Sequence, residues 1–371
     1  MDKLGVDGST VDGVARLLGW WFPLLHEHGV SPELLVLGPS GDVVQEMRGD
    51  GIPILSLGMR PFNVLAYLEF KRIVAGIEPD ILHVHNWRAT TFALWSKPSL
   101  RIPVVIHEHV ASPRIPLVQR LADRALNHRV DRVLAVSEAA AKNCRHTRHF
   151  PRERIDVLVN GIPLGAGVSY TEEHTAAVKL ELGIEPESDV IGFVGRLDAQ
   201  KGPLFLIEAF SILLRNRPRK AFLVIVGDGP LADQLKELSH QLGIGERVSF
   251  LGYRRDVSRL QAAFTVQAMP SLWEGLPLGA LEAMAAGVPL VASDIPGPDE
   301  ILKNDVNSVL VPPKDPQALA QALGGLLVDP RRRVRLVEVA HETVRSHDIR
   351  SNVAKMLDVY TELLGDKNNG A

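Results

Sequence analysis

The sequence predicts an α/β protein built from two doubly wound domains, each with a parallel sheet covered by helices on both faces. Three observations predict it. Short runs rich in Val, Ile and Leu alternate with segments of helical periodicity along most of the chain. A single stretch rich in Pro, Gly and polar residues, 163–188, interrupts that alternation. The length of 371 residues fits two domains of ordinary size.

The first half of the chain begins with a predicted helix, because apolar residues recur at helical spacing from Val14 to Leu25 before Gly29. The strands that we predict next lie at 34–37, 54–57, 81–84, 104–106, 133–136 and 157–159. The helices between them are predicted near 63–76, 88–96, 114–129 and 138–146. We predict that this first domain spans residues 1–165.

The second half repeats the pattern after a predicted linker region at 166–188, which includes a short helix. Its predicted strands lie at 190–195, 222–226, 248–251, 265–268, 290–293 and 308–311. Its predicted helices lie near 203–216, 231–241, 257–263, 278–286 and 317–327. The second domain is predicted to span 189–345, and residues 346–371 are predicted to form a final helix near 350–364 and a polar tail.

The composition excludes several classes of protein. Hydrophobic residues make up 46% of the chain and charged residues 23%, as in a globular protein. A net charge of −3 gives no overall positive field, so nucleic acid is not an expected partner. Cys144 is the only cysteine, which excludes an internal disulfide and a cysteine-based metal site.

The same features predict the cellular location. A single cysteine fits the reducing cytoplasm, and no apolar run reaches the length of a membrane span. The start MDKLGVDGST has no signal-peptide core. We therefore expect a cytoplasmic protein, and peripheral contact with the inner face of the plasma membrane stays open.

The most informative stretch is 270–294, PSLWEGLPLGALEAMAAGVPLVASD, which reads as a loop, a helix over 278–286 and a strand. Pro277 stands where a helix can begin, and a helix N-terminus at the end of a strand suits a phosphate. Glu274 and Glu282 would repel a phosphate, so hydroxyl groups are the more plausible ligands of these carboxylates. The alternative is that both are ordinary solvated side chains.

Two other groups of turns lie at predicted strand ends. In GRLDAQKG, the Arg196 guanidinium and the Lys201 ammonium suit a diphosphate, and Asp198 is expected to hold the turn. The glycines Gly227 and Gly252 allow the main chain to approach a flat ligand closely. A solvated basic turn and plain tight turns are the respective alternatives.

Histidines end two strands of the first domain, in ILHVHNW and VVIHEH. His85, His107 and His109 therefore lie where ligands gather in open α/β sheets, with Glu108 beside them. A metal site from these three histidines is conceivable but not favoured, because the spacing lacks a helix-borne pair such as H-x-x-x-H. A packed or capping histidine is the other alternative.

The segment 142–154 is rich in Arg and His. It could bind an anionic acceptor or lipid head groups, although a solvated loop is the favoured interpretation.

Taken together, the E-x-x-x-x-x-x-x-E motif within 270–294 and the GRLDAQKG turn resemble retaining glycosyltransferase family 4. The resemblance extends from about residue 13 to residue 364. It implies the GT-B fold, in which two Rossmann-like domains face each other across a cleft. It also implies a nucleotide-diphosphate sugar as the donor substrate.

For the donor site, the resemblance implies that Glu274 contacts the donor sugar and Glu282 the ribose. It implies that Arg196 and Lys201 neutralise the diphosphate. The main-chain groups implied to hold that diphosphate belong to Gly275, Leu276, Pro277 and Leu278. The residues implied to lie at the nucleobase are Gly227, Gly252, Tyr253 and Arg254.

For the first domain, the resemblance implies that His109 approaches the donor sugar or its phosphate, and that Gly13 and His85 face the cleft. DGVARLLGWW resembles the turn and first helix that follow the family's first strand, but the apolar strand before that turn is missing. Asp12 also stands where the family has a glycine. We expect the natural start to lie upstream, because a lost central strand would leave main-chain groups unpaired.

The resemblance implies a retaining glycosyltransferase of polysaccharide biosynthesis that transfers a hexose to a saccharide or lipid-linked acceptor. We expect no metal and no cofactor, because Arg196, Lys201 and the N-terminus of the helix at Leu278 can meet the charge on the leaving diphosphate. One alternative is a sugar-nucleotide epimerase or a phosphorylase of similar fold. Another is a degenerate sugar-nucleotide-binding or scaffold subunit, suggested by the missing strand.

Overall fold

The computed structural model of the chain describes residues 13–38, 47–49, 51–58, 64–110, 115–164, 170–216 and 220–369. The chain forms two compact units. The first unit comprises Met1–Pro163 together with Ile349–Ala371, and the second comprises Leu164–Asp348. In both units parallel strands alternate with helices, so the predicted α/β architecture with two doubly wound domains is confirmed.

The described strands of the first unit form two sheets. Their bounds are β1 (Leu34–Val36), β2 (Ile54–Ser56), β3 (Leu82–Val84), β4 (Val104–Glu108), β5 (Arg132–Ala135) and β6 (Ile155–Val157). β1 pairs with β2, and the other four pair in the order β3-β4-β5-β6, all parallel. Among the described residues no strand joins β1 to β3. The predicted absence of a first strand concerns residues 1–12, which lie outside the described residues.

Two of the described helices of the first unit begin at a residue whose side chain caps the helix. The bounds of the described helices are α1 (Gly13–Glu27), α2 (Val64–Ile77), α3 (Trp87–Leu100), α4 (Leu117–Leu126) and α5 (Glu138–His146). Asn86 Oδ1 accepts a hydrogen bond from the Ala89 N–H at 2.9 Å and caps α3. Ser137 Oγ caps α5 in the same way, by accepting from the Ala140 N–H at 3.1 Å. These caps fix the directions in which the chain leaves β3 and β5.

The described residues of the second unit contain one sheet of six parallel strands. They are β7 (Asp189–Val194), β8 (Ala221–Val226), β9 (Val248–Phe250), β10 (Val266–Met269), β11 (Leu290–Ser293) and β12 (Val309–Val311). Their order is β12-β11-β10-β7-β8-β9. The order reverses between β7 and β10, and ligands of open α/β sheets bind beyond the carboxyl ends of the strands at such a point.

Helices cover the sheet of the second unit. They are α6 (Glu172–Glu181), α7 (Pro203–Asn216), α8 (Ala232–Gln241), α9 (Val257–Gln261), α10 (Leu278–Ala285), α11 (Pro316–Val328) and α12 (Pro330–Arg345). α7 packs against α11, and α10 packs against α12. Because helices cover it, the sheet is buried, and Ile191, Leu223 and Val291 are fully inaccessible. The sequence did not predict α12.

The last helix, α13 (Ile349–Asn369), belongs to the first unit. Asn352 Oδ1 accepts a hydrogen bond from Trp21 Nε1 at 2.9 Å, and Tyr360 hydrogen-bonds to His83. Arg132 forms an ion pair with Glu362 at 2.9 Å. The first unit is therefore made from both ends of the chain. None of the helices in the described part combines the length and the apolar character needed to cross a bilayer.

Candidate functional site

The loop after β7 carries both of the predicted cationic side chains. Arg196 forms an ion pair with Asp198, and Asp198 Oδ1 accepts a hydrogen bond from the Lys201 N–H at 3.1 Å. Asp198 therefore holds the turn, as predicted. The side chains of Arg196 and Lys201 are 31% and 28% exposed, so both remain accessible to a ligand.

Glu274, in the loop after β10, is 5% exposed and is held by three donors. Lys201 Nζ lies 2.6 Å from Glu274 Oε1, and Ser271 Oγ donates to the same oxygen at 2.8 Å. Gln200 Nε2 donates to Glu274 Oε2 at 3.4 Å. The alternative of a solvated Glu274 is therefore wrong, because the carboxylate is buried and positioned by neighbouring side chains.

Main-chain contacts fix the loops after β7, β10 and β11 against one another. Gly202 has φ +62°, and a Cβ at this position would lie 2.2 Å from the Pro270 carbonyl oxygen. Gly297 has φ +102°, and a Cβ there would lie 2.1 Å from the Gly275 carbonyl oxygen. Only glycine satisfies both the conformation and the space at these positions. The position of Glu274 is therefore set from both sides of its loop.

The loops after β8 and β9 join the same arrangement. The Gly227 N–H donates to the Gly252 carbonyl at 2.8 Å, and the Leu197 N–H donates to the Asp228 carbonyl at 2.9 Å. The structure thus brings the predicted glycines Gly227 and Gly252 together beside the loop that carries Arg196. These contacts assemble predicted site residues from four strand ends.

Tyr253 and Arg254 follow Gly252, and Tyr253 is 36% exposed. Arg254 donates two hydrogen bonds to Asp256, each 2.7 Å long. This pairing raises the pKa of Arg254 and lowers the pKa of Asp256 to about 2. The carboxylate thus orients the guanidinium within its own loop.

Helix α10 begins at Leu278 after Pro277, close to the predicted bounds. Leu276 and Leu278 are 4% and 8% exposed, so their side chains are part of the core. Only main-chain groups of this turn can serve a ligand, and the N–H groups at a helix N-terminus attract anions. Glu282 lies four residues further along the helix and is half-buried.

The first unit contains a cluster of four histidines on the ends of β3 and β4. Alternate residues of a strand share a face of the sheet, so His83 and His85 lie beside His107 and His109. His85 Nδ1 lies 2.9 Å from His109 Nε2, and His83 Nε2 lies 3.2 Å from His107 Nδ1. The Trp21 ring of α1 packs 5.2 Å from His107, between ring centroids. Gly13 is the first residue of α1.

Burial keeps these imidazoles neutral. It lowers the pKa of His83 and of His109 to about 3, and it lowers the pKa of His85 and of His107 well below the usual value. Nitrogens of His83, His85 and His107 all lie within 4.8 Å of one another, and this group could hold a metal ion. It differs by one member from the combination that the sequence suggested, because His83 replaces His109.

The basic segment 142–154 contains a buried structural arginine. Arg148 is 3% exposed, donates two hydrogen bonds to Asp123 and forms an ion pair with Glu108. Burial lowers the pKa of Arg148, but Glu108 and Asp123 outweigh this effect and raise it overall. For Arg148, both the solvated loop and the anion-binding role are therefore wrong. Glu108, which the sequence places beside the histidines, forms an ion pair with this arginine.

Two family models match the chain. Residues 11–165 match a model described as Glycosyltransferase Family 4, and residues 177–343 match one described as Glycosyl transferases group 1. The chain is 30% identical over 302 residues to the uncharacterized glycosyltransferase MJ1607 of Methanocaldococcus jannaschii, which covers 78% of this chain and 76% of that protein.

One relative and one solved structure extend the comparison. The chain is 27% identical over 298 residues to the UDP-Gal:alpha-D-GlcNAc-diphosphoundecaprenol alpha-1,3-galactosyltransferase of Escherichia coli, which covers 78% of this chain and 76% of that protein. Among solved structures, Anabaena Alr3699/HepE in complex with UDP and glucose has a TM-score of 0.84 at 21% identity. That likeness covers 95% of this chain and 97% of that chain and shows a shared GT-B fold.

Proposed function

Because the chain belongs to glycosyltransferase family 4, we propose that it transfers a hexosyl group with retained anomeric configuration. The donor in this proposal is a nucleotide-diphosphate sugar, and the acceptor is a saccharide or a lipid-linked saccharide. The observation that carries the proposal is the contact between Lys201 and Glu274, which sets a cation beside a buried carboxylate at the carboxyl ends of β7 and β10.

On the donor side, Arg196 and Lys201 receive the negative charge of the diphosphate. The guanidinium offers several N–H groups in one plane, and its pairing with Asp198 occupies only one of its nitrogens. The N-terminus of α10 adds main-chain N–H groups from the turn at Gly275. Charge that develops on the leaving group is thus met by groups already fixed in place.

Glu274 and Glu282 accept hydrogen bonds from hydroxyl groups in this proposal, from the donor sugar and from the ribose respectively. Glu274 suits that role because Lys201, Ser271 and Gln200 fix both of its oxygens. The nucleobase lies beside the main chain near Gly252 and Tyr253.

The transfer itself breaks the bond between the anomeric carbon and the diphosphate oxygen and forms a bond to the acceptor oxygen on the same face. The acceptor proton passes to the departing phosphate. No protein base is required, because the departing phosphate takes this proton, and no metal ion is required, because Arg196 and Lys201 supply the positive charge. His109 orients the donor sugar as a neutral hydrogen-bonding group, and Gly13 and His85 lie toward the acceptor.

The acceptor class is supported by the relative from Escherichia coli, whose name specifies a saccharide on diphosphoundecaprenol. UDP is the nucleotide in that name and in the HepE complex. We therefore propose a UDP-sugar as the first donor to test and a membrane-derived acceptor. The proposed location is the cytoplasmic side of the membrane that holds such an acceptor.

The test is to incubate the chain with a panel of UDP-hexoses and a saccharide diphospholipid, with and without EDTA. Mass spectrometry detects the product, and the NMR coupling constant of the new linkage gives its configuration. We expect a retained anomer, unchanged by EDTA, and a loss of turnover of about 10²–10³-fold in Glu274→Ala. The matched control is Glu338→Ala, an exposed glutamate of α12, which should keep full turnover.

Three results would contradict the proposal. Full activity of Glu274→Ala would show that this carboxylate does not contact the donor sugar. Conversion of the UDP-sugar without acceptor would indicate an epimerase. Calorimetric binding of UDP-sugars without product from any acceptor would indicate a sugar-nucleotide-binding subunit.

A further inference from the structure

The histidine cluster of the first unit has the composition of a transition-metal site. His83 and His107 lie on adjacent parallel strands, with His83 Nε2 3.2 Å from His107 Nδ1. Zinc–nitrogen bonds of about 2.0–2.1 Å in tetrahedral geometry place two ligand nitrogens slightly more than 3 Å apart. His83 and His107 are therefore already at the separation that one shared cation requires. One nitrogen of each of His83, His85 and His107 lies within 4.8 Å of the other two.

The remaining nitrogens of two of these rings are held by hydrogen-bonding partners. Tyr360 OH contacts His83 Nδ1, and His109 Nε2 lies 2.9 Å from His85 Nδ1. Metal-binding histidines generally use one ring nitrogen for the metal while a neighbour fixes the other. In this cluster Tyr360 is that neighbour for His83, and His109 is that neighbour for His85. The ligand atoms of His83 and His85 in the proposed site are therefore their Nε2 atoms.

His107 is almost completely buried within the cluster. Its side chain is 1% exposed, and its Nε2 has no hydrogen-bond partner among the described residues. The nitrogen of His107 that faces His83 is Nδ1, so Nδ1 is its ligand atom in the proposed site, and Nε2 on the other side of the ring carries the proton.

We propose that His83, His85 and His107 bind one divalent transition-metal cation of the kind that imidazole ligands favour, such as Zn²⁺ or Co²⁺. Three imidazoles leave a fourth position for water or another small ligand. Only residues of the first unit take part, and the diphosphate chemistry proposed for Arg196 and Lys201 does not involve the cation.

The experiment uses the full chain without an affinity tag, stripped with EDTA and then titrated with Co²⁺. A tetrahedral cobalt site has an intense visible absorption band, which reports binding without any nucleotide sugar. We expect one equivalent to saturate the band, and X-ray absorption of the Zn²⁺ form to show imidazole nitrogens near 2.0 Å, as is typical of zinc–histidine bonds. Because no transfer is measured, failure here is distinguishable from failure of the proposed glycosyl transfer.

The test variants are His85→Gln and His107→Gln, each checked for folding by circular dichroism. Each should weaken Co²⁺ binding by roughly 100-fold or more, since even the partners of metal ligands contribute 10–100-fold. The matched control is His341→Gln, an exposed histidine of the second unit, which should leave the band unchanged. The proposal is overturned if no band forms, or if the band is equally strong in a folded His85→Gln variant.

Discussion

The ammonium nitrogen of Lys201 lies 2.6 Å from Glu274 Oε1 and connects the loop after β7 to the loop after β10. The Glu274 side chain is 6% exposed, whereas the Lys201 side chain is 28% exposed. The contact therefore serves two purposes, because it stabilises a buried negative charge and keeps a cation at the edge of the sheet.

Lys201→Met should lower the free energy of unfolding by about 1–3 kcal/mol, because it leaves the Glu274 charge buried without its cation. The double variant Lys201→Met/Glu274→Gln should recover part of this loss, since it removes the charge as well. Urea unfolding at pH 7 measures both values. The matched control is Lys236→Met. The Lys236 side chain is 53% exposed, and its ammonium lies 3.7 Å from Asp233, so the pair should contribute under about 1 kcal/mol to the free energy of unfolding. Strictly additive losses in the double variant would show that the two side chains are not coupled.

Gly202→Ala should destabilise the second unit by about 1–3 kcal/mol, because the backbone has a positive φ and the new methyl group would meet the Pro270 carbonyl at 2.2 Å. Thermal unfolding measures the change. For comparison, Gly325→Ala lies within α11 and meets only the Arg332 side chain at 3.7 Å, so it should be neutral or stabilising. Equal melting temperatures for the two variants would mean that the loop after β7 can move away from Pro270.

Arg148→Met should lower the free energy of unfolding by about 3–5 kcal/mol, because it leaves the carboxylates of Asp123 and Glu108 buried without a cation. Chemical unfolding of the full chain gives this value. Arg145→Met is the control, since Arg145 is 25% exposed and lies 3.6 Å from a Glu138 that is itself 55% exposed. A loss for Arg148→Met no greater than for the control would contradict a structural role of the buried arginine.

Stability should fall as the pH is lowered from 6.5 toward 4 in metal-free buffer. Burial lowers the pKa of His83 and of His109 to about 3, so the unfolded chain binds protons in this range that the folded chain does not. Their contribution is complete above pH 6.5 and is lost as the pH falls toward 3. Each histidine contributes a slope of at most ~1.4 kcal/mol per pH unit.

The pH prediction is checked by urea unfolding at several pH values in the parent chain and in His83→Gln. The variant should have the shallower slope, while His341→Gln, an exposed change, should match the parent. A steeper slope in His83→Gln would contradict the assignment.

The alternation of strands and helices was predictable because parallel strands buried on both faces require continuous apolar runs, and these runs are visible in the sequence. Helix α12 was not predicted. It buries only Leu336, Ala340 and Val344, one residue per turn, and it begins at Pro330, directly after Asp329, which caps the end of α11 and the start of α12. Charged residues are frequent in its sequence, PRRRVRLVEVAHETVR, so the segment reads as polar although its few apolar residues lie on one face.

The candidate site was predictable only in part. Glu274, Arg196 and Lys201 stand in recognisable turns, but Ser271 and Gln200 contact Glu274 through the folded loops, and no local pattern distinguishes them from other polar residues. Arg148 was misjudged for the same reason. Its partners are 25 and 40 residues away, on α4 and β4, so a basic segment that looked exposed contains a buried ion pair.

Helix α13 affects the order in which the two units of the protein fold. Trp21 and His83 find their partners Asn352 and Tyr360 only after the entire unit Leu164–Asp348 has been synthesised. The contiguous unit Leu164–Asp348 has no such dependence, so during synthesis it can mature first although it is translated second. Until α13 has been synthesised, the amino-terminal part of the first unit exposes the apolar surface of α1 that this helix covers, so it is prone to aggregation at that stage.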